Sequence, residues 1–512
     1  MNRFEFYETG RLAGWLSIIA LAAGVRFYAI TDAYVWYDEA FSVGISALSP
    51  EAIWFHTGRD VHPPLYYLLL HGWMELFGKG PLAIRSLSAI AGILTVALGM
   101  VMARSIFNYR TAWVAGLFLA LLPVSVRFSQ EARMYALLGL FLMGATLALI
   151  YWMKKSECYR YCLIYIGCMT AALYTHYYAI LAAMAHWLYL IVLRLHPAVR
   201  ARHVTGTVWW TCNVLIAIAY IPWLFSLVDL LKNYSKIQAV GSVAWLSRAS
   251  PYSLPDTVWR FFTLNSPKSF SMVGYWLVPV VLLVITGWIV SLDRTKYRFS
   301  ILLMFFAFVP MLSLFVVSLF IPAYLVRYVA FSALVLPLIL GAAVTYLSSR
   351  QVAATLLFFA VIGLELFGLQ ANYRQESDMS YVKSTEVVRM RQAIDYISAH
   401  RQAADIVVVG GGFLYFSAVF YMGSDRNMYL VDQSLDQHSS SRPNGYGATT
   451  LMYDTWDEHF LADPDRFPEG VRRVWWVTGR SSTDLYYPYQ GKWREIDYLA
   501  AGELELRLYQ AP

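Results

Sequence analysis

Charge is what this sequence has least of. Only 14% of its 512 residues are Asp, Glu, Lys or Arg, while 58% are hydrophobic. A soluble chain carries nearer a quarter charged residues, so a purely soluble fold is excluded. Cysteine is also sparse. Cys158, Cys162, Cys168 and Cys212 lie in or beside apolar runs. None falls in an expected outer segment, so no disulfide framework is implied, and Cys158 and Cys162 lack the partners of a zinc site. There is no internal repeat and no low-complexity segment. No small-residue cleavage site follows the first apolar stretch, 12–31, which therefore reads as a retained helix rather than a signal peptide. The formal net charge of +7 sits in short connections, where it sets membrane orientation and does not call for nucleic acid.

What is present in quantity is uncharged sequence. Runs at 86–103, 111–126, 134–153, 161–193, 203–228, 269–292, 299–326 and 328–349 carry no Asp, Glu, Lys or Arg. Most are long enough to cross a hydrocarbon core of about 30 Å as helices. The expected fold class is a polytopic α-helical membrane protein. Short basic connections recur at Arg104 to Arg110, Lys154 to Arg160, Arg194 to His203, Arg294 to Arg298 and Arg350. The positive-inside rule places them together in the cytoplasm. If 12–31 leaves the cytoplasm and 82–103 returns to it, the apolar segment 63–78, with His71 and Glu75, is not a crossing. It is expected to lie along the outer interface. Eleven spans follow, near 12–31, 82–103, 111–127, 135–153, 161–176, 179–195, 205–228, 273–292, 299–320, 329–348 and 352–371. Residues 229–272 read as an outer loop with an amphipathic part.

The tail, 372–512, regains ordinary charge. Strand-like runs at 404–410, 471–479 and 503–510 and a helical pattern over 382–400 predict a small extracytoplasmic α/β domain, separate from a membrane domain at 1–371. Gly410-Gly411-Gly412 follows a strand but lacks GxGxxG spacing, so no nucleotide cofactor is expected.

On this topology the chemically interesting residues share one side. The adjacent carboxylates Asp38-Glu39 stand among Tyr34, Trp36, Tyr37 and Phe41, where a helix meets water. They suit a general base, or hard oxygen ligands for a divalent metal, against a plain solvated helix end. Asp60-Val61-His62-Pro63-Pro64 fixes the backbone at His62 and starts a helix. Gln130, Glu131, Arg133 and Tyr135 cluster in a short connection. Arg127 and Arg133 break the positive-inside bias, which points to a local task such as phosphate binding, or to an Arg–Glu pair that holds the loop. His176 and Tyr177 interrupt a long apolar run, and His176 suits metal ligation or orientation of a carboxylate. Arg327-Tyr328 sits between two apolar runs, placed to meet a lipid phosphate or to snorkel to headgroups. Arg85 reads as an outer anchor, and Arg26 as the partner of a nearby carboxylate. Glu365, inside the last span, is expected to face protein or to lie near the outer end.

YDEAFSV, DVHPPLYYLLL, IRSLSAIAG, SQEARMYAL, THYYA and a late RY occur in that order. Over about 12–371 they resemble the GT-C class of glycosyltransferases, nearest the bacterial relatives of protein O-mannosyltransferases and of lipid A aminoarabinose transferases. The resemblance implies a sugar donor carried on a polyprenyl phosphate, and transfer with inversion to an acceptor hydroxyl on the outer face. It implies Asp38 as base or acceptor-positioning residue with Glu39 in support. Arg133 and Arg327, with Arg85 third, become the candidates for the donor phosphate, and 63–78 becomes a juxtamembrane helix. Whether a divalent metal at Asp38, Glu39, Glu131 and His176 takes part stays open, as do the sugar and whether the acceptor is protein, lipid or glycan. The alternatives are a transporter or flippase of lipid-linked glycans and an oligosaccharide ligase or transferase. The oligosaccharyl transferases carry a WWD-type motif, and here Trp475-Trp476-Val477 lacks its Asp.

Overall fold

The computed structural model describes residues 3–512 apart from 196–205, 240–245, 247, 267–271, 378, 380–388, 424–426, 432–443, 454–455, 462–469, 480–492 and 503. Most of the expected basic loop ending at His203, and the first part of the helix expected over 382–400, lie outside the described residues.

Each expected span is a helix or a broken pair of helices. They are Arg3–Phe27, Pro81–Ile106, Tyr109–Leu121 with Pro123–Ser129, Tyr135–Lys154, Arg160–Thr175, Ala179–Leu195, Thr207–Lys232, Met272–Leu292, Phe299–Phe320, Val326–Val335 with Leu336–Tyr346, and Gln351–Tyr373. Among the described residues, seven helices are long and apolar enough to cross a membrane, and eight if the bent pair at Pro123 is one span. In the others the helix or its apolar part is shorter, as in Leu12–Phe27 and Ala179–Leu195. Arg160–Thr175 has 16 residues, which at 1.5 Å each reach only about 24 Å. The 56° bend at Pro123 has a covalent cause. Proline lacks an N–H and drives the residue before it out of the helical region, and Leu122 accordingly has ψ 111°.

The segment after Pro63-Pro64 forms the 13-residue helix Leu65–Phe77, about 20 Å long and too short to span. It is amphipathic in the expected sense: Tyr66, Tyr67, Leu70 and Met74 are buried, while Leu76 and Phe77 are exposed. Two shorter helices precede it, Tyr37–Ser46 and Pro50–Thr57. At the far end of the bundle, Lys154 hydrogen-bonds Ser105 and lies 5.5 Å from the Phe299 ring centre. Several of the basic connections thus share one end, with Asp38 at the other. The segment 229–272 is more ordered than a loop. Its helix Ser253–Thr263 buries Val258, Trp259, Phe261 and Phe262. It packs so closely on the last span that a Cβ at Gly368 would run into the Phe262 carbonyl.

The tail holds strands β1 (Ile406–Val409), β2 (Met428–Val431), β3 (Phe460–Leu461), β4 (Arg473–Gly479), β5 (Arg494–Ala501) and β6 (Leu504–Gln510). They form one sheet in the order β3-β2-β1-β4-β6-β5. The first four strands are parallel, and β6 runs antiparallel to both β4 and β5. Side chains alternate across it as the pleat requires. Val407, Val409, Trp475 and Val477 enter one core; Ile406, Val408, Val474 and Trp476 enter the other. The Trp475-Trp476 pair is therefore core, and the Trp475 indole donates to Asp405 (3.0 Å). The glycine run leads into helix Gly412–Met422, which packs against the segment 35–41. Phe416 lies edge-on to Tyr37 and Phe41, at 5.6 Å each, and the Val35 N–H donates to the Tyr421 hydroxyl (2.8 Å). The tail thus sits directly on the helix that carries Asp38-Glu39.

Candidate active site

Asp38 and Glu39 occupy the first turn of helix Tyr37–Ser46. Successive helical residues point about 100° apart, so neighbours in sequence meet different surroundings. Glu39 turns inward. It is 1% exposed and takes a two-pronged ion pair from Arg85 (2.8 and 2.7 Å) and the Ala132 N–H (2.8 Å). Arg85 gives its remaining N–H groups to the carbonyls of Ile30, Ala33 and Tyr34 (2.7, 2.9 and 3.0 Å). All five guanidinium donors are thereby used. Arg85 has none left for a phosphate, and at 1% exposure it does not reach lipid either. It is a bolt that ties the end of the first span to Glu39, which corrects both sequence expectations for it.

Asp38 faces the other way. Its Oδ2 accepts from Arg327 Nη1 (2.9 Å) and lies 3.9 Å from Arg133 Nη2. Its side chain is 21% exposed, against 1% for Glu39 and 5% for Asp60, so it is the most accessible of these carboxylates. Arg133 also donates from Nη1 to the Asp38 carbonyl (3.2 Å) and the Ser42 hydroxyl (3.0 Å). Its Nη2 meets His62 Nε2 at 3.5 Å, and its Nε–H is buried without a partner. Arg133 does not pair with Glu131. That carboxyl is buried, accepts from the Trp36 indole (2.8 Å), and has its pKa raised by burial, with Arg127 opposing.

Arginine can only donate, so His62 Nε2 accepts and the ring proton sits on Nδ1, facing Asp60 Oδ2 at 3.3 Å. Burial lowers the His62 pKa below its usual 6.5; the Asp60 hydrogen bond opposes and Arg133 reinforces. Below about 6.5 the unfolded chain then binds a proton that the folded chain refuses. This contribution to stability is complete above that pH and is lost as the pH falls below it. Thermal denaturation of His62→Gln between pH 7.5 and 5 should show a shallower fall in midpoint than wild type; equal slopes would mean that His62 does not report on the fold.

His176 is 3% exposed and ends the helix Arg160–Thr175. Its ring lies 5.4 Å from Tyr178, 5.4 Å from Tyr328, 5.6 Å from His62 and 5.9 Å from Tyr135. The structure therefore gathers Asp38, Asp60, His62, Arg133, Tyr135, His176, Arg327 and Tyr328 in one place, from segments separated by up to 290 residues in the chain. Three expectations fail. Gln130 turns away, donating to the carbonyls of Arg26 and Tyr28 (3.1 and 2.7 Å) and accepting from Asn372 (2.7 Å). Tyr177 turns toward Trp223, whose indole donates to its hydroxyl (3.2 Å); Tyr178 faces the site instead. Arg26 pairs with the Ala120 carbonyl and the Ser125 hydroxyl (3.0 Å each), not with a carboxylate. Among the described residues no group of three or more His, Cys, Asp or Glu stands close enough to share a metal ion. Glu39, Glu131 and His176 each face a different partner, so that proposed ligand set does not assemble. Tyr67 was missed. It is fully buried with an unpartnered hydroxyl, close enough to Arg133, Asp60 and Asp38 to interact with each. The signal was available, since Tyr67, Leu70 and Met74 follow the spacing of one buried helix face.

The arrangement of long apolar helices, the short helix Leu65–Phe77 and the C-terminal sheet is a GT-C fold like that of ArnT. The chain has this fold, and part of its sequence resembles the protein O-mannosyltransferases. Residues 61–225 match the family model described as dolichyl-phosphate-mannose-protein mannosyltransferase. ArnT from Cupriavidus metallidurans, in the apo state, superposes with a TM-score of 0.65 at 15% identity, covering 97% of this chain and 98% of that one. The same protein bound to undecaprenyl phosphate gives 0.64 at 15% identity, covering 96% and 97%. The archaeal oligosaccharyltransferase AglB from Archaeoglobus fulgidus, in complex with an inhibitory peptide and a dolichol-phosphate, gives 0.53 at 12% identity, covering 93% and 70%. No curated protein matches the sequence.

Proposed function

We propose that this protein is an inverting glycosyltransferase. It moves a sugar from a polyprenyl-phosphate-linked donor to an acceptor hydroxyl on the outer face of the cytoplasmic membrane. Residues 1–371 form the multi-pass catalytic domain and 372–512 an extracytoplasmic domain. The observation that carries the reading is the position of Asp38, the most accessible carboxylate of its cluster, held between Arg133 and Arg327. In the absence of substrate the arginines are balanced by Asp38. A donor phosphate entering between them accepts their N–H groups, including the unpartnered Arg133 Nε–H, and releases Asp38 from their field. Asp38 then takes the acceptor's proton as that oxygen bonds to the anomeric carbon and the carbon–oxygen bond to phosphate breaks. The electron pair leaves on the phosphate, where the arginines stabilise the growing charge, and polyprenyl phosphate departs. Attack opposite the leaving group inverts the anomeric carbon. The undecaprenyl phosphate named for the ArnT structure supports this donor class.

The test is a transfer assay in membranes holding the full-length protein, with a panel of radiolabelled polyprenyl-phosphate sugars of hexose, pentose and aminopentose type. One donor is expected to pass its label to an acceptor with inverted anomeric configuration. A panel in which none does so, or a retained configuration, overturns the proposal.

A further inference from the structure

His176 holds a hydrogen atom that points at nothing. Its Nδ1 lies 3.2 Å from the backbone N–H of Tyr178. A backbone amide can only donate, so Nδ1 must be the acceptor. In the neutral ring the single proton is therefore on Nε2, and that Nε2–H is buried without an acceptor. A buried polar group left unsatisfied costs about 1–3 kcal/mol. Such a group in a native structure calls for an explanation, and a ligand or water that completes it is one.

The surroundings favour a ligand and describe it. His176 is enclosed by the rings of Tyr135, Tyr178, Tyr328 and His62, so bulk water is kept away. His62 in turn touches Arg133, whose Nε–H is a second buried donor without a partner. Arg133 and Arg327 are both near enough to oppose a positive charge on the His176 ring. The group is thus a neutral donor beside two cations that share the one carboxylate of Asp38, and an anion with several acceptor oxygens is the ligand that would satisfy the donors left over. A metal ion is a poor occupant, because Nδ1 is taken and Nε2 carries the proton.

We infer that His176 donates a hydrogen bond from Nε2 to a phosphate oxygen of the polyprenyl-phosphate donor, as a neutral third donor beside Arg133 and Arg327. The inference rests on the donor class proposed above and assigns a role within it. A neutral donor has a use that a third cation would not have. It fixes the orientation of the phosphate without adding charge that would hold the departing polyprenyl phosphate or pull Asp38 out of position. The turn at His176-Tyr177-Tyr178 is what sets the tautomer, since the amide two residues on satisfies Nδ1.

The experiment measures binding of undecaprenyl phosphate, without sugar, to the full chain in lipid nanodiscs. His176→Phe keeps a ring in the aromatic cage and removes the donor. Its affinity is expected to fall about tenfold or more, the scale of a hydrogen bond to a charged group. His176→Gln, which restores an N–H, should recover part of that loss. A role confined to packing predicts instead that the Phe variant binds as wild type does and the Gln variant binds worse. A readout free of variants comes from wild-type protein labelled with nitrogen-15 at histidine. One protonated Nε2 resonance should move on saturation with undecaprenyl phosphate. Equal affinity of wild type and His176→Phe, or histidine resonances that do not respond to the lipid, overturns the inference and leaves the donor reading standing. Wild type that binds no polyprenyl phosphate at all overturns the donor reading and the inference with it.

Discussion

Asp38→Asn is expected to fold, to bind donor and to transfer almost nothing. Asparagine keeps the size of the side chain and an oxygen that can accept from Arg327, now 2.9 Å from Asp38 Oδ2. What it loses is the negative charge and the ability to take a proton. General-base loss costs about 10²–10⁴-fold in rate, and we expect turnover to fall at least about a hundredfold. The effect should divide unequally. Removing the carboxylate leaves Arg133 and Arg327 without their balancing charge, so affinity for polyprenyl phosphate should hold or tighten while kcat collapses. Steady-state transfer kinetics with varied donor, together with equilibrium binding of undecaprenyl phosphate, separate the two. Undiminished kcat would remove Asp38 from the chemistry. A loss confined to KM would make it a binding residue.

The adjacent carboxylate should behave in the opposite way. Glu39→Ala would strand the Arg85 guanidinium at 1% exposure, and Arg85→Ala would strand Glu39 along with the three backbone carbonyls that Arg85 now serves. Breaking a buried ion pair from one side costs about 3–5 kcal/mol, because the remaining charge has lost its partner in a low-dielectric place. Both single variants are therefore expected to be among the most damaging to stability, seen as a large fall in denaturation midpoint in detergent and in folded yield from membranes. The double variant should be less unstable than the sum of the two, since neither charge is then left alone. An Arg85→Ala protein with wild-type stability and weakened affinity for polyprenyl phosphate would return Arg85 to the phosphate site.

Asp38 and Glu39 are neighbours in sequence that face different surroundings. Asp38-Glu39 stood out because charge is rare here and a carboxylate pair beside an apolar span has to be accounted for. That both residues mattered was legible. Which one faced the open site was not, because it depends on the rotation of a ten-residue helix set by its packing against Arg85 and the docked tail. Arg85, Arg133 and Arg327 looked alike for the same reason. A guanidinium near the outer interface is equally suited to phosphate, to lipid headgroups or to backbone carbonyls. Only the carbonyls of Ile30, Ala33 and Tyr34, arriving from another segment, decided that Arg85 is saturated. Tyr67 and Gln130 miscarried in opposite directions. The first was hidden in an apolar helix, and the second lay in a polar loop but points at the end of the first span.

By itself the sequence determined the positions of the hydrophobic helices, the short helix after Pro63-Pro64, three of the six strands among the described residues of the tail, and the set of segments from which a site could be drawn. Those features follow from hydrophobic runs, proline and local periodicity, which act over a few residues and need no partner. Strands β2, β3 and β5 escaped notice because two are too short to show a period and the third is an exposed sheet edge. The tertiary structure alone decided which charges meet. It bonded Asp38 to Arg327 across 289 positions, closed Glu39 onto Arg85, and left the Nε–H of Arg133 and of His176's deduced tautomer without acceptors. The physical reason is range. Backbone preference and hydrophobicity are properties of a segment, whereas an ion pair, a tautomer or an orphaned donor is defined only when a second segment has been packed against the first.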